Sequence, residues 1–173
     1  EKVQNKYEAM GNLETALEKA TEGGEPKLEK EISKELVRVY QLIANDFQME
    51  GDFDKALNFF EKCLTATQSA NNTQQEAECY QKMGHIYEKL GDFVRAIELL
   101  DKFLHLCEKD ESAEGRAKVL EAHKELGEVH LKNQNEMAAY NHFEALRKLA
   151  QADKFNRKVL ADAYLKLGLL NYQ

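Results

Sequence analysis

The feature that most narrows what this chain can fold into is a spacing of small and aromatic residues over residues 80–103. Tyr80 is followed by Met83-Gly84, then by Tyr87, Gly91-Asp92, Ala96 and Leu100. Gly84 and Ala96 are small, as two antiparallel helices need where they cross closely. Gly91 can end a first helix in the left-handed conformation, and Asp92 can cap the free N–H groups that open a second. Tyr80, Tyr87 and Leu100 are bulky enough to fill the space around the crossing. The predicted unit is a helical hairpin, and one hairpin alone cannot bury both its faces.

The pattern recurs. Forty residues upstream, Tyr40, Ile43, Ala44, Phe47, Gly51-Asp52, Ala56 and Phe60 hold the same positions, and forty further back Tyr7, Gly11-Asn12, Leu13, Ala16 and Ala20 preserve a second half. A step of forty-three gives His123, Leu126-Gly127, His130, Ala139 and Phe143, and a step of forty-one gives Tyr164 and Leu167-Gly168. An array of this kind has no single core; its stability is a sum over units and interfaces.

Composition agrees with an all-helical array: one Pro, no Trp, 43% hydrophobic and 32% charged residues. The net charge of −7 argues against a nucleic-acid footprint, which needs a basic face. No apolar run approaches the ~20 residues that span a bilayer. Cys63, Cys79 and Cys107 are odd in number and show no C-x-x-C spacing, so they read as buried thiols of a reducing compartment. The chain opens and closes in mid-pattern and reads as a segment of a longer protein.

Taken in order, the periodicities predict nine helices in one array over residues 1–173. The units are 1–22 (partial), 27–70, 73–109, 113–152 and 155–173 (partial). In the first unit a helix to about Met10 and a partner from Leu13 meet at Gly11-Asn12. Gly23-Gly24-Glu25-Pro26 is a break. The helix after it has apolar positions Leu28, Ile32, Leu36, Val39, Ile43 and Phe47 at steps of three or four. Thr73 is the expected cap of the helix that reaches Leu90. At Asn133-Gln134-Asn135, which replaces Gly-Asp, Asn is expected to take the positive φ. The last helix is expected to start at Phe155.

The five histidines raise a metal site. His123 and His130 lie seven apart, there is no H-E-x-x-H, and both stand where other units carry Tyr or Phe. They read as packing side chains. No P-loop, G-x-S-x-G or dinucleotide fingerprint is present, so no enzyme, cofactor or small-molecule substrate is expected.

The motif residues resemble the tetratricopeptide repeat family. That resemblance implies an all-α solenoid, a right-handed superhelix of antiparallel hairpins, acting as a non-enzymatic scaffold that binds protein partners and neither nucleic acid nor membrane. It also implies that the first-type helices line a concave groove. Its wall is then Arg38, Gln41, Asn45, Gln48 and Met49; Glu78, Gln81, His85, Glu88 and Lys89; Glu121, Lys124, Glu128 and Lys132; and Asp162, Leu165 and Leu169. Arg38, Gln41, Asn45, Gln81, His85, Glu88, Lys124 and Glu128 are the expected partner contacts. The carboxylate clamp of chaperone-docking members is not met: Asn45 matches one place, but Gln41 stands for the first Lys and Lys82 for the next Asn.

A narrower likeness rests on residues 35–42, 76–80 and 100–102, Gly115-Arg116, and Asn135-Glu136-Met137. These runs resemble ciliary members of the family. They imply axonemal or dynein-associated partners, or ciliary transport machinery, and a place in the cytoplasm, cytoskeleton and axoneme of cilium or flagellum. The alternative is a cytosolic adaptor holding an extended or helical peptide in its concave groove.

Overall fold

The computed structural model describes residues 2–152 and 156–172, with side chains described from Asn5 onward. All regular structure among them is helical. The helices are α1 (Lys2–Gly23), α2 (Pro26–Glu50), α3 (Phe53–Ser69), α4 (Thr73–Lys89), α5 (Phe93–Glu108), α6 (Ala113–Lys132), α7 (Glu136–Ala152) and α8 (Arg157–Tyr172). Glu1 and Phe155, expected to open the first and last helices, lie outside the described residues. The chain forms two compact units, residues 1–86 and 87–173.

The count differs from the nine expected because α1 is one continuous helix. Gly11 sits inside it without a positive φ, and the Thr15 hydroxyl bonds its carbonyl at 2.9 Å. A Gly in a helix interior costs only about 1 kcal/mol against Ala, less than the hydrogen bonds a break would forfeit. The true break is Gly24, at φ 67°, where Glu25 N–H reaches back to the Ala20 carbonyl at 3.0 Å.

Four later turns use one device. A residue at positive φ ends a helix, and the next residue donates its N–H to a carbonyl five back and caps the following helix. At the first, Gly51 has φ 82°, Asp52 N–H reaches Phe47 O at 2.9 Å, and the Asp52 carboxylate accepts from Lys55 N–H at 3.3 Å. Gly91-Asp92 repeats this, with Arg95 N–H donating at 3.1 Å. The other two lack glycine. Asn71 (φ 52°) precedes Asn72, which rather than the expected Thr73 caps α4 by accepting from Gln75 N–H at 3.2 Å. Gln134 (φ 57°), not either flanking Asn, takes the left-handed place, and Asn135 accepts from Ala138 N–H at 3.2 Å. The cap position needs a short side-chain acceptor, so Asn135 is used there and the strain falls on Gln134.

In the first unit α1 and α3 each pack against α2. Its buried side chains include Leu36, Val37, Ile43 and Ala44 of α2 and Ala56, Phe60 and Cys63 of α3. In the second, α6 packs against α5 and α7, and α7 against α8. Its core joins Leu120, Ala139, Phe143, Leu146, Ala150, Ala163 and Leu167. Gly84 of α4, Ala96 and Leu100 of α5, and Gly127 of α6 are buried, and Tyr80 and Tyr87 of α4 are half-buried. Gly168 is exposed, with no atom within 4 Å of where a Cβ would stand. All three cysteines are buried free thiols. A hydrogen bond with Cys79 and burial hold Cys63 protonated, and burial pushes Cys107 up to about 11.

Candidate partner-binding face

The first-type helices α2, α4, α6 and α8 carry the residues expected to meet a partner. On α2, Arg38, Gln41, Leu42, Asn45, Gln48 and Met49 follow at steps of one, three or four and so share one broad face. Arg38 donates to Glu35 on its own helix at 2.7 Å. Gln41, Asn45 and Gln48 are half-buried, while Leu42 is 51% and Met49 81% exposed. Two apolar side chains thus stand in water among amides, each of which can both donate and accept.

Beside this strip the unit is closed by contacts to α1. Lys6 bonds Asp46, and Tyr40 donates its hydroxyl to Glu14 at 2.7 Å. Burial and that carboxylate hold the Tyr40 phenol well above its ordinary pKa. Phe59 of α3 packs between Tyr7, Tyr40 and Phe47, with the Lys62 ammonium 5.5 Å from the Tyr40 and Phe59 ring centres. The Lys62 ammonium also lies 3.5 Å from Glu14.

The charged positions of the later helices are used differently. Glu88 of α4 accepts from Lys132 of α6 at 2.6 Å. Lys124 of α6 pairs with Asp162 of α8 at 3.1 Å, and Glu128 with Lys166 at 3.1 Å. The hydrogen bond to Asp162 raises the Lys124 ammonium pKa. These pairs are partly exposed, and each is worth about 0–1 kcal/mol. Together they form a ladder between successive first-type helices. Gln81 and His85 are half-buried and hold polar interactions of their own. Among the expected contacts, Gln41 and Asn45 are the ones whose side chains have no partner among the described residues.

Sequence reasoning missed Leu42, because it falls one position off the expected inner stripe. It also missed the ladder, because spacing within a helix does not reveal which charge lies opposite on a helix some forty residues away. No group of three or more His, Cys, Asp or Glu among the described residues could hold a metal ion. No described helix is long and apolar enough to cross a membrane.

Comparison with known proteins places this geometry. A tetratricopeptide repeat model matches residues 35–109. No curated protein sequence matches the chain. Among solved structures, BtubC (BKLC) from P. vanneervenii is similar at TM-score 0.66 and 17% identity, covering 91% of this chain and 70% of its own. The N-terminal domain of stress-induced protein-1 from C. elegans has TM-score 0.63 and 12% identity, covering 78% and 96%. A P. anserina putative kinesin light chain with nearly identical TPR-like repeats has TM-score 0.60 and 14% identity, covering 92% and 87%. At such identities the likeness is one of fold. The central segment, residues 35–109, is tetratricopeptide-repeat sequence, and the chain as a whole shares the fold of proteins built from such helix hairpins.

Proposed function

We propose that this protein is a protein-interaction scaffold of the tetratricopeptide repeat family that takes up a peptide segment of its partner along the exposed strip of α2. The observation that carries this reading is the contrast between the helices. Glu88, Lys124 and Glu128 are committed to the chain's own ion pairs, whereas the side chains of Gln41 and Asn45 have no partner among the described residues and Leu42 and Met49 are exposed. Amides supply donors and acceptors for a peptide backbone, and a flexible thioether adapts to apolar side chains of varied shape. The partner segment is therefore uncharged or weakly charged, and extended or helical.

The finer reading is that the scaffold serves the axoneme of motile cilia, tying axonemal or dynein-associated proteins together. It is supported by the runs at residues 35–42, 76–80, 100–102, 115–116 and 135–137, which lie partly outside the repeat motif and resemble tetratricopeptide repeat protein 29. The experiment is a peptide array tiled from axonemal and dynein-associated chains, probed with the 173-residue chain and with a Gln41→Ala/Asn45→Ala variant. The proposal expects spots that the variant loses at an unchanged melting temperature. Spots kept by that variant but lost with Lys124→Ala/Glu128→Ala would overturn the site. Co-sedimentation with detergent- and salt-extracted axonemes tests the ciliary reading alone, and failure to pellet would leave only a cytosolic adaptor.

A further inference from the structure

Phe59, packed between Tyr40 and Phe47, has an exact counterpart in the repeat register. The steps that carry Tyr40 to His123 and Phe47 to His130 also carry Phe59 through Leu99 to His142. The geometry is conserved while the chemistry is exchanged. Phe59 lies 6.3 Å from Tyr40 at 44° and 5.8 Å from Phe47 at 16°. His142 lies 5.4 Å from His123 at 46° and 5.3 Å from His130 at 18°. The α6–α7 hairpin thus holds three imidazoles in the arrangement that one tyrosine and two phenylalanine rings hold between α2 and α3.

We infer that this histidine trio makes the α6–α7 hairpin a pH-sensitive element, closed when the imidazoles are neutral and loosened when they take up protons. The hydrogen bonding sets the first limit. The Nδ1 atoms of His123 and His142 are 3.1 Å apart, so one proton can lie between them. Protonating both rings would set two N–H donors against each other. The His130 Nδ1 is buried and without a hydrogen-bond partner among the described residues, so a proton there gains no acceptor. Access sets the second. His123 also lines an open groove of about 1320 Å³ between the ends of α5 and α7, through which water can reach the stack.

Charges on the neighbouring elements do not reverse this. From α5, Glu108 acts on His123 and Asp101 on His130, each favouring the charged form, but burial outweighs both and lowers the two imidazoles. His142 of α7 is lowered to about 4, first by burial and then by His123 and His130. A histidine pKa depressed on folding means that the unfolded chain binds protons more readily. Stability is then lost as pH falls from the ordinary histidine value of about 6.5 toward 4. The α6 helix also carries Lys124 and Glu128, so loosening it would disturb its pairs with α8.

The test restores the other hairpin's trio in the 173-residue chain, as His123→Tyr/His130→Phe/His142→Phe, with His142→Leu, the residue of the middle unit, as a milder second variant. Melting temperatures are measured at about pH 7 and about pH 5. The wild type is expected to lose about 3 °C more than either variant. In parallel, the NMR titration of the His142 ring should lie well below the ordinary histidine value. Parallel losses in wild type and variants, or a His142 that titrates near about 6.5, would overturn the proposal.

Discussion

Replacing Gly127 with alanine probes a close crossing of α6 and α7. An ideal Cβ on Gly127 would stand 2.6, 2.7 and 2.9 Å from Cε1, Cζ and Cδ1 of Phe143. Carbon atoms pack best at about 3.5–4.0 Å, so the ring must retreat by about 1 Å. Phe143 is fully buried against Leu146, Ala150 and Leu167, in an interior packed like a molecular crystal. Overpacking of this kind costs about 1–3 kcal/mol, and alanine's better helix propensity offsets about 1 kcal/mol of it. The net expectation is a loss of roughly 1 kcal/mol, or a Tm lower by about 2–4 °C. Gly127→Leu, with three more carbons in the same space, should lose about 3 kcal/mol or more. Gly168→Ala is the internal control. It holds the same repeat position with open space around it and should gain up to about 1 kcal/mol. Thermal melts followed by circular dichroism measure all three. A Gly127→Ala chain melting at or above wild type, or a Gly168→Ala chain melting below it, would refute the reasoning.

Other substitutions test other parts of the account. Gln134→Gly should raise the melting temperature, because a residue with a side chain at positive φ is strained by about 1–2 kcal/mol; a lower Tm would mean that Gln134 makes a contact worth more. Gly115→Ala should destabilise by about 2 kcal/mol or more, since a Cβ there would overlap the Asp110 carbonyl oxygen, and a near-neutral melt would show that the α5–α6 turn can shift. Lys124→Ala with Glu128→Ala should lose about 0–2 kcal/mol at low salt. Most of that difference should vanish near 1 M salt, where screening acts within about 3 Å; a salt-independent loss would point to packing instead.

Much of the fold was legible because its rules are local. Gly51-Asp52 and Gly91-Asp92 announce their turns, since glycine tolerates positive φ and aspartate caps the next helix. Asn71-Asn72 and Gln134-Asn135 build the same turn without glycine; asparagine marks the place of both turns, but the register alone reveals that Gln134 must take the strained position. Gly11 misled for the converse reason: a glycine permits a helix end but does not require one. The histidine trio was half visible. His123 and His130 share one face of one helix, while His142 joins them from another, and only stepping Phe59 through the repeat finds it. The candidate site was read least well. That Glu88, Lys124 and Glu128 are paired depends on Lys132, Asp162 and Lys166, which lie far away in sequence, whereas Gln41 and Asn45, without partners among the described residues, look no different in the chain.

The measurement that bears most directly on the central claim is methyl NMR of the chain labelled at its four methionines. Met49 on the α2 strip and Met137 on α7 are 81% and 73% exposed, so both methyls report on their surroundings with little obstruction. On titration with a peptide selected from the array, the account predicts that the Met49 resonance moves while Met137 stays still, and that Gln41→Ala/Asn45→Ala abolishes the movement. A shift at Met137 with Met49 unchanged would contradict it.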